Sequence, residues 1–108
     1  MTVHLIITAT RPSTDIAWVN VPNFPETTSW YDTDTYYLEN WSGKGRLLTR
    51  TGTYSDDGLT ATLTMEFIDW QALDDYVSDE NLSSIRSIRD IYSNTSGIKI
   101  TNIETVEV

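Results

Sequence analysis

The segment that most constrains this chain is Ser55-Asp56-Asp57-Gly58, which stands between two runs of alternating residues. Before it, Leu47, Thr49, Thr51 and Thr53 alternate with Arg46, Leu48, Arg50 and Tyr54. After it, Leu59, Ala61, Leu63, Met65 and Phe67 alternate with Thr60, Thr62, Thr64 and Glu66. A period of two marks strands that present one face to a core. Asp-Gly between such runs predicts a β-hairpin over 46–68, closed by a primed two-residue turn whose central residues take positive φ.

The other elements are read around this hairpin. Val3 to Thr10 is β-branched, with Val3, Leu5, Ile7 and Ala9 on one face and His4, Ile6, Thr8 and Thr10 on the other. Both faces are partly apolar, which predicts a central strand, and Pro12 ends it because proline cannot donate to a ladder. Between Thr14 and Phe24, Ile16, Trp18 and Val19 suit a short extended piece. Pro22 and Pro25 bar a regular helix or a central strand. Glu26 to Trp41 reads as a first helix on the spacing of Trp30, Tyr37, Leu38 and Trp41. Against it stand several Thr and Asp residues, which are poor helix formers, and Asp34 on the same stripe. Ser42-Gly43-Lys44-Gly45 is a break.

Asp69 is a suitable N-cap for a helix from Trp70 to Tyr92, whose stripe is Trp70, Leu73, Val77, Leu82, Ile85, Ile88 and Tyr92. Ser78-Asp79 marks a kink in it, and Asn94 to Gly97 stops it. Ile98 to Val108 is a last strand whose period slips near Asn102, the sign of a bulge. The order β, α, β, β, α, β is the split βαβ arrangement. The expected fold is therefore α+β and ferredoxin-like: a four-stranded antiparallel sheet with helices on one face, in a single domain over 1–108.

Composition excludes several classes of function. With 108 residues, one layered core is within reach, and 39% hydrophobic content argues against disorder. The absence of cysteine removes disulfides, iron–sulfur clusters, thiolate zinc sites and a cysteine nucleophile. A formal net charge of -9 repels phosphate backbones. The densest basic group, Lys44, Arg46 and Arg50, is too sparse for a nucleic-acid or anionic-membrane surface. The N-terminus lacks the pattern of a signal peptide, and no apolar run reaches the roughly 20 residues of a membrane span. A soluble, cytoplasmic protein is expected.

Across most of its length the layout resembles the dimeric α+β barrel superfamily, which includes the antibiotic-biosynthesis-monooxygenase-like proteins. The resemblance rests on the strand Val3–Thr10, the hairpin closed by Asp57-Gly58, the Phe67-Ile68-Asp69-Trp70-Gln71-Ala72 strand-to-helix step, the long helix and the terminal strand. The stretch from Arg11 to Glu26 is longer than that family's usual connection. The resemblance implies a homodimer whose sheets pack face to face, with a ligand cleft between each sheet and its own helices. Its members include small monooxygenases, isomerases, decarboxylase-like and haem-degrading proteins, so it fixes the place of a site better than its chemistry. Independently, a sheet with helices on one face leaves the other to water or a partner. Ile6, Leu48, Tyr54 and Ile68 make the predicted open face more apolar than water requires.

Candidate chemistry follows from few residues. His4 is the only histidine and hence the sole catalytic candidate, as a base; the alternative is a hydrogen-bonded interface histidine. One histidine without cysteine does not make a zinc site, and neither Asp32-Thr33-Asp34 nor Asp56-Asp57-Gly58 fits a calcium loop, so no metal is expected. The predicted helices lack the histidine of that family's haem-binding members, and no cofactor is expected. Trp18, Trp30, Tyr31, Tyr36, Tyr37 and Trp41 either line an apolar pocket or supply packing. Arg50 either clamps a carboxylate or pairs with Glu66 or a partner chain. The expected ligand-binding set is Trp18, Tyr37, Trp41, Arg50 and Tyr54, for a small hydrophobic or amphipathic molecule that could carry a carboxylate. The alternatives are a structural or protein-interaction module without activity, and a cofactor-independent monooxygenase or isomerase.

Overall fold

The computed structural model describes residues 1–16, 18, 36 and 38–108. Strand β1 spans Val3–Thr10, β2 Leu47–Tyr54, β3 Thr60–Phe67 and β4 Lys99–Glu107. All pairings are antiparallel, in the order β2-β3-β1-β4. A π-helical turn, Leu38–Ser42, precedes β2. Helix α1 covers Trp70–Val77, a 3₁₀ turn Glu80–Leu82, and helix α2 Ser83–Ser96. This is a four-stranded antiparallel sheet with helices, an α+β architecture. Among the described residues no helix is long and apolar enough to cross a membrane.

The predicted strands form with their bounds shifted by a residue at most ends. Asp69 caps α1 as expected, its carboxylate accepting the Ala72 N–H at 2.8 Å. The single long helix predicted over Trp70–Tyr92 is broken at Ser78, where the anticipated kink falls. Its second half runs on to Ser96, ended by Gly97 at φ 79°. Most of the predicted helix over Glu26–Trp41, Tyr37 included, lies outside the described residues.

The hairpin tip differs from the two-residue turn. Ser55 donates its N–H to Thr60 O at 2.9 Å, and Gly58 donates to Ser55 O at 3.0 Å, so the loop is the four residues 56–59. Asp57 explains the choice. Its carboxylate accepts from Ser55 Oγ at 2.6 Å and from the Leu59 N–H at 3.0 Å, which organises an Asx-type turn. These two bonds hold the Asp57 carboxyl below its ordinary value. Gly58 then takes the left-handed φ of 72°.

Two bulges set the faces of the sheet. In β4 the pairing with β1 slips between Asn102 and Ile100, where a bulge was expected. In β2, Leu47 faces Phe67 while Thr49 faces Glu66, which leaves Leu48 as an extra residue. A one-residue insertion reverses which side chains share a side from there on. The sequence puts Arg50 and Tyr54 opposite to Leu47; in the structure they share its side.

The helix-side face thus carries Val3, Leu5, Leu47, Met65 and Phe67, all buried, and α1 lays Ala72, Leu73 and Tyr76 over them. Trp41 (2% exposed) enters the same core from the π-helical turn. Its ring meets Tyr76 edge-on at 5.0 Å and Phe67 edge-on at 6.5 Å, the geometry that aromatic quadrupoles favour.

Candidate functional site

On the helix side, β2 beyond its bulge presents Arg50, Gly52 and Tyr54, opposite Met65, Leu63 and Ala61 of β3. Across β3 the same rows continue into Leu5, Ile7 and Ala9 of β1. The pattern is an arginine and a tyrosine at the margin of an apolar sheet floor that lowers in side-chain size toward the hairpin tip. Arg50 is half-buried and Tyr54 is exposed.

Trp18 joins this end of the sheet from the connection after β1. Its ring lies 6.2 Å from that of Tyr54, tilted by 33°. Arg11 fixes it there. The Arg11 guanidinium sits 4.8 Å over the Trp18 ring, donating from Nε to Gly58 O at 2.7 Å and from Nη1 to Ile16 O at 2.6 Å. One cation therefore ties the strand end, the loop and the hairpin tip together, and the stacked indole gains cation–π attraction. Arg11 did not emerge from the sequence, because nothing in Arg11-Pro12-Ser13 signals a contact 47 residues away.

Trp41 is not part of this group. Its ring is enclosed by Tyr76, Phe67 and the Arg46 guanidinium, 4.3 Å above it. Its setting is that of packing, one of the two roles the sequence left open for the aromatic residues. Tyr37 lies outside the described residues.

His4 occupies the opposite face. It pairs with Glu66 through Nε2 at 3.1 Å, in register across β1 and β3. Glu66 is thereby not the partner of Arg50, since the two lie on different sides of the sheet. The sequence-based combination of His4 as base and Arg50 as anion clamp is not assembled within one chain: the sheet stands between them. Among the described residues no group of three or more His, Asp or Glu side chains converges in a way that could hold a metal ion.

Among the described residues the most connected polar group is Asp79, at the junction of α1 and the 3₁₀ turn. Oδ2 accepts from Tyr36 Oη at 2.7 Å and Trp41 Nε1 at 2.9 Å; Oδ1 accepts from the Asn81 N–H at 3.0 Å and Asn81 Nδ2 at 3.2 Å. Burial pushes the Asp79 carboxyl up, but the bonds from Tyr36, Trp41 and Asn81 together outweigh it and hold the group below the usual carboxylate value. Tyr36 moves the other way: its bond to Asp79 and its burial raise the phenol above the ordinary value. Arg46 pairs with Asp75 from the other side of Trp41. These groups lock the turn before β2 onto the helical layer. They hold a fold together and show no arrangement for proton transfer to a substrate.

Compared with protein-family models, curated proteins and solved structures, the chain matches none.

Proposed function

We propose that this chain is a small ligand-binding domain of ferredoxin-like topology, of the dimeric α+β barrel type, taking a hydrophobic or amphipathic molecule on the helix side of its sheet near the hairpin tip. The observation that carries this reading is the β2 bulge at Leu48, which brings Arg50 and Tyr54 to the same side as the apolar floor, with Tyr54 beside the Arg11-held Trp18. A half-buried guanidinium beside apolar side chains suits a carboxylate, which it can hold through two parallel charge-assisted hydrogen bonds. The strand order β2-β3-β1-β4 is the one that a split βαβ arrangement produces, and it supports the topology. The partner in the proposed homodimer lies against the opposite face, around Ile6.

Binding is favoured over catalysis. The only histidine faces away from Arg50 and Tyr54, so the pairing of His4 as base with Arg50 as anion clamp, on which an oxygenase or isomerase reading would draw, does not form within one chain. Fluorescence titration with anilinonaphthalene sulfonate, an amphipathic anion, tests the reading. The protein should bind it saturably, and Arg50→Gln should weaken binding by about tenfold, the cost of roughly one charge-assisted hydrogen bond. Equal binding by Arg50→Gln removes Arg50 from the site, and no saturable binding removes the site.

A further inference from the structure

Asp57-Gly58 is the only Asp-Gly pair in the chain, and Asn-Gly does not occur. In such a pair the glycine amide nitrogen can attack the aspartate Cγ, because no Cβ on the following residue blocks the approach. Asp57 is exposed at the hairpin tip and Gly58 is half-buried behind it. Both reacting groups are occupied. The Gly58 N–H donates to Ser55 O at 3.0 Å, and the Asp57 carboxylate accepts from Ser55 Oγ and the Leu59 N–H. The Ser55 hydroxyl is itself fixed, accepting from the Thr60 N–H at 3.0 Å. Arg11 holds Gly58 from outside: its Nε donates to Gly58 O at 2.7 Å, and its backbone N–H donates to Leu59 O at 2.9 Å.

We propose that Asp57 is a site of spontaneous isomerisation to isoaspartate, shut while Ser55 and Arg11 hold the hairpin tip and open when the tip releases. The reaction needs only water. The Gly58 nitrogen gives up its proton and bonds to the Asp57 Cγ, the carboxyl hydroxyl leaves with that proton as water, and a cyclic succinimide closes. Water then opens the ring. Opening on the Cγ side restores aspartate. Opening on the side of the main-chain carbonyl leaves the chain running through Cβ and Cγ, with the α-carboxylate as the side group. No electron is gained or lost, and the water released in the first step is replaced in the second.

Each tie at the tip opposes the first step. An N–H that donates to a carbonyl oxygen is a weaker acid, because the nitrogen anion would face the lone pairs of that oxygen. The hydroxyl leaves only from the neutral acid, whereas the bonds from Ser55 and Leu59 favour the carboxylate. The Leu59 bond also holds the carboxylate on the nitrogen one residue beyond the one that must attack. A hydrogen bond of ordinary strength shifts a local equilibrium by about two- to tenfold, so the three together slow closure by on the order of a hundredfold. The product would in turn unmake the tip. The added methylene lengthens the backbone between Asp57 and Gly58, displaces Gly58 O from Arg11, and removes one anchor of the guanidinium that lies over Trp18.

The rate of isoaspartate formation at neutral pH and body temperature tests this, followed by methyl transfer from protein isoaspartyl methyltransferase and placed at residue 57 by electron-transfer fragmentation. The folded protein should form isoaspartate on the order of a hundred times more slowly than the same chain in urea. Ser55→Ala and Arg11→Gln, each verified as folded by circular dichroism, should speed the folded reaction by about two- to tenfold and leave the rate in urea unchanged. Either variant keeps the test valid if the other does not fold. A folded wild type that isomerises as fast as the chain in urea overturns the protection. No isoaspartate at residue 57 in urea overturns the site. Folded rates unchanged in both variants overturn the roles of Ser55 and Arg11.

Discussion

Asp79→Ala is the substitution with the largest expected effect on the turn before β2. Three side chains and one backbone N–H lean on this carboxylate. The decisive bond is that of Trp41 Nε1, because Trp41 is 2% exposed and water cannot replace the acceptor without opening the core. A buried donor left without its acceptor costs about 1–3 kcal/mol. Tyr36 and Asn81 lie nearer the surface and recover part of their bonding from water, so each adds about 0.5–1 kcal/mol. The sum, about 2–5 kcal/mol, is a large share of the roughly 5–15 kcal/mol that stabilises a domain. Urea unfolding at neutral pH measures it as a shift of midpoint at constant slope. A loss below about 0.5 kcal/mol would refute the claim that Asp79 holds the π-helical turn in place.

The pH dependence has a definite sign. The folded carboxyl of Asp79 is held below its unfolded value, so its contribution is complete above the ordinary Asp range and is lost as pH falls through the folded value. The stability gap between the wild type and Asp79→Asn should therefore be constant near neutrality and narrow in acid below about pH 4. A gap that widens on acidification would contradict the direction of the shift.

Two further variants address local geometry. Gly58→Ala forces a side chain into the left-handed region and brings its Cβ within 3.2 Å of Arg11 Nη2; a loss of about 1–2 kcal/mol in urea unfolding is expected. Deletion of Leu48 removes the extra residue of the β2 bulge but keeps Leu47 opposite Phe67 and Arg50 opposite Met65, so Arg50 and Tyr54 hold their side of the sheet; anilinonaphthalene sulfonate binding and the sheet signal in circular dichroism should both persist, and loss of binding in the folded variant would contradict the register argument.

The legible and illegible parts of this fold separate on physical grounds. Alternation in Val3–Thr10, Thr60–Phe67 and the runs around Asp57-Gly58 reports burial directly, so strands, hairpin and core face were readable. The α1 cap was readable because Asp69 acts on its own neighbourhood. The bulge in β2 was not: Arg46 to Tyr54 alternates regularly in sequence, and only pairing with β3 shows that Leu48 is extra. That one residue moves Arg50 and Tyr54 across the sheet and separates them from His4. In β4 the bulge did show, because its apolar residues themselves change step between Ile100 and Ile103. The turn at Ser55 was legible as a turn, but its length depended on which donors the Asp57 carboxylate captures. Arg11 and Asp79 act over long sequence separations, and no local pattern announces such contacts.

The central claim is that the helix-side end of the sheet, marked by Trp18, Arg50 and Tyr54, holds a small molecule. Native mass spectrometry of the freshly purified protein, set against its denatured mass, tests it most directly. The account predicts extra mass that is lost on denaturation, and its absence from the folded Arg50→Gln protein. Retention of the same extra mass by Arg50→Gln would contradict the placement of the site, and bare mass in the wild type across gentle ionisation conditions would contradict the claim of a retained ligand.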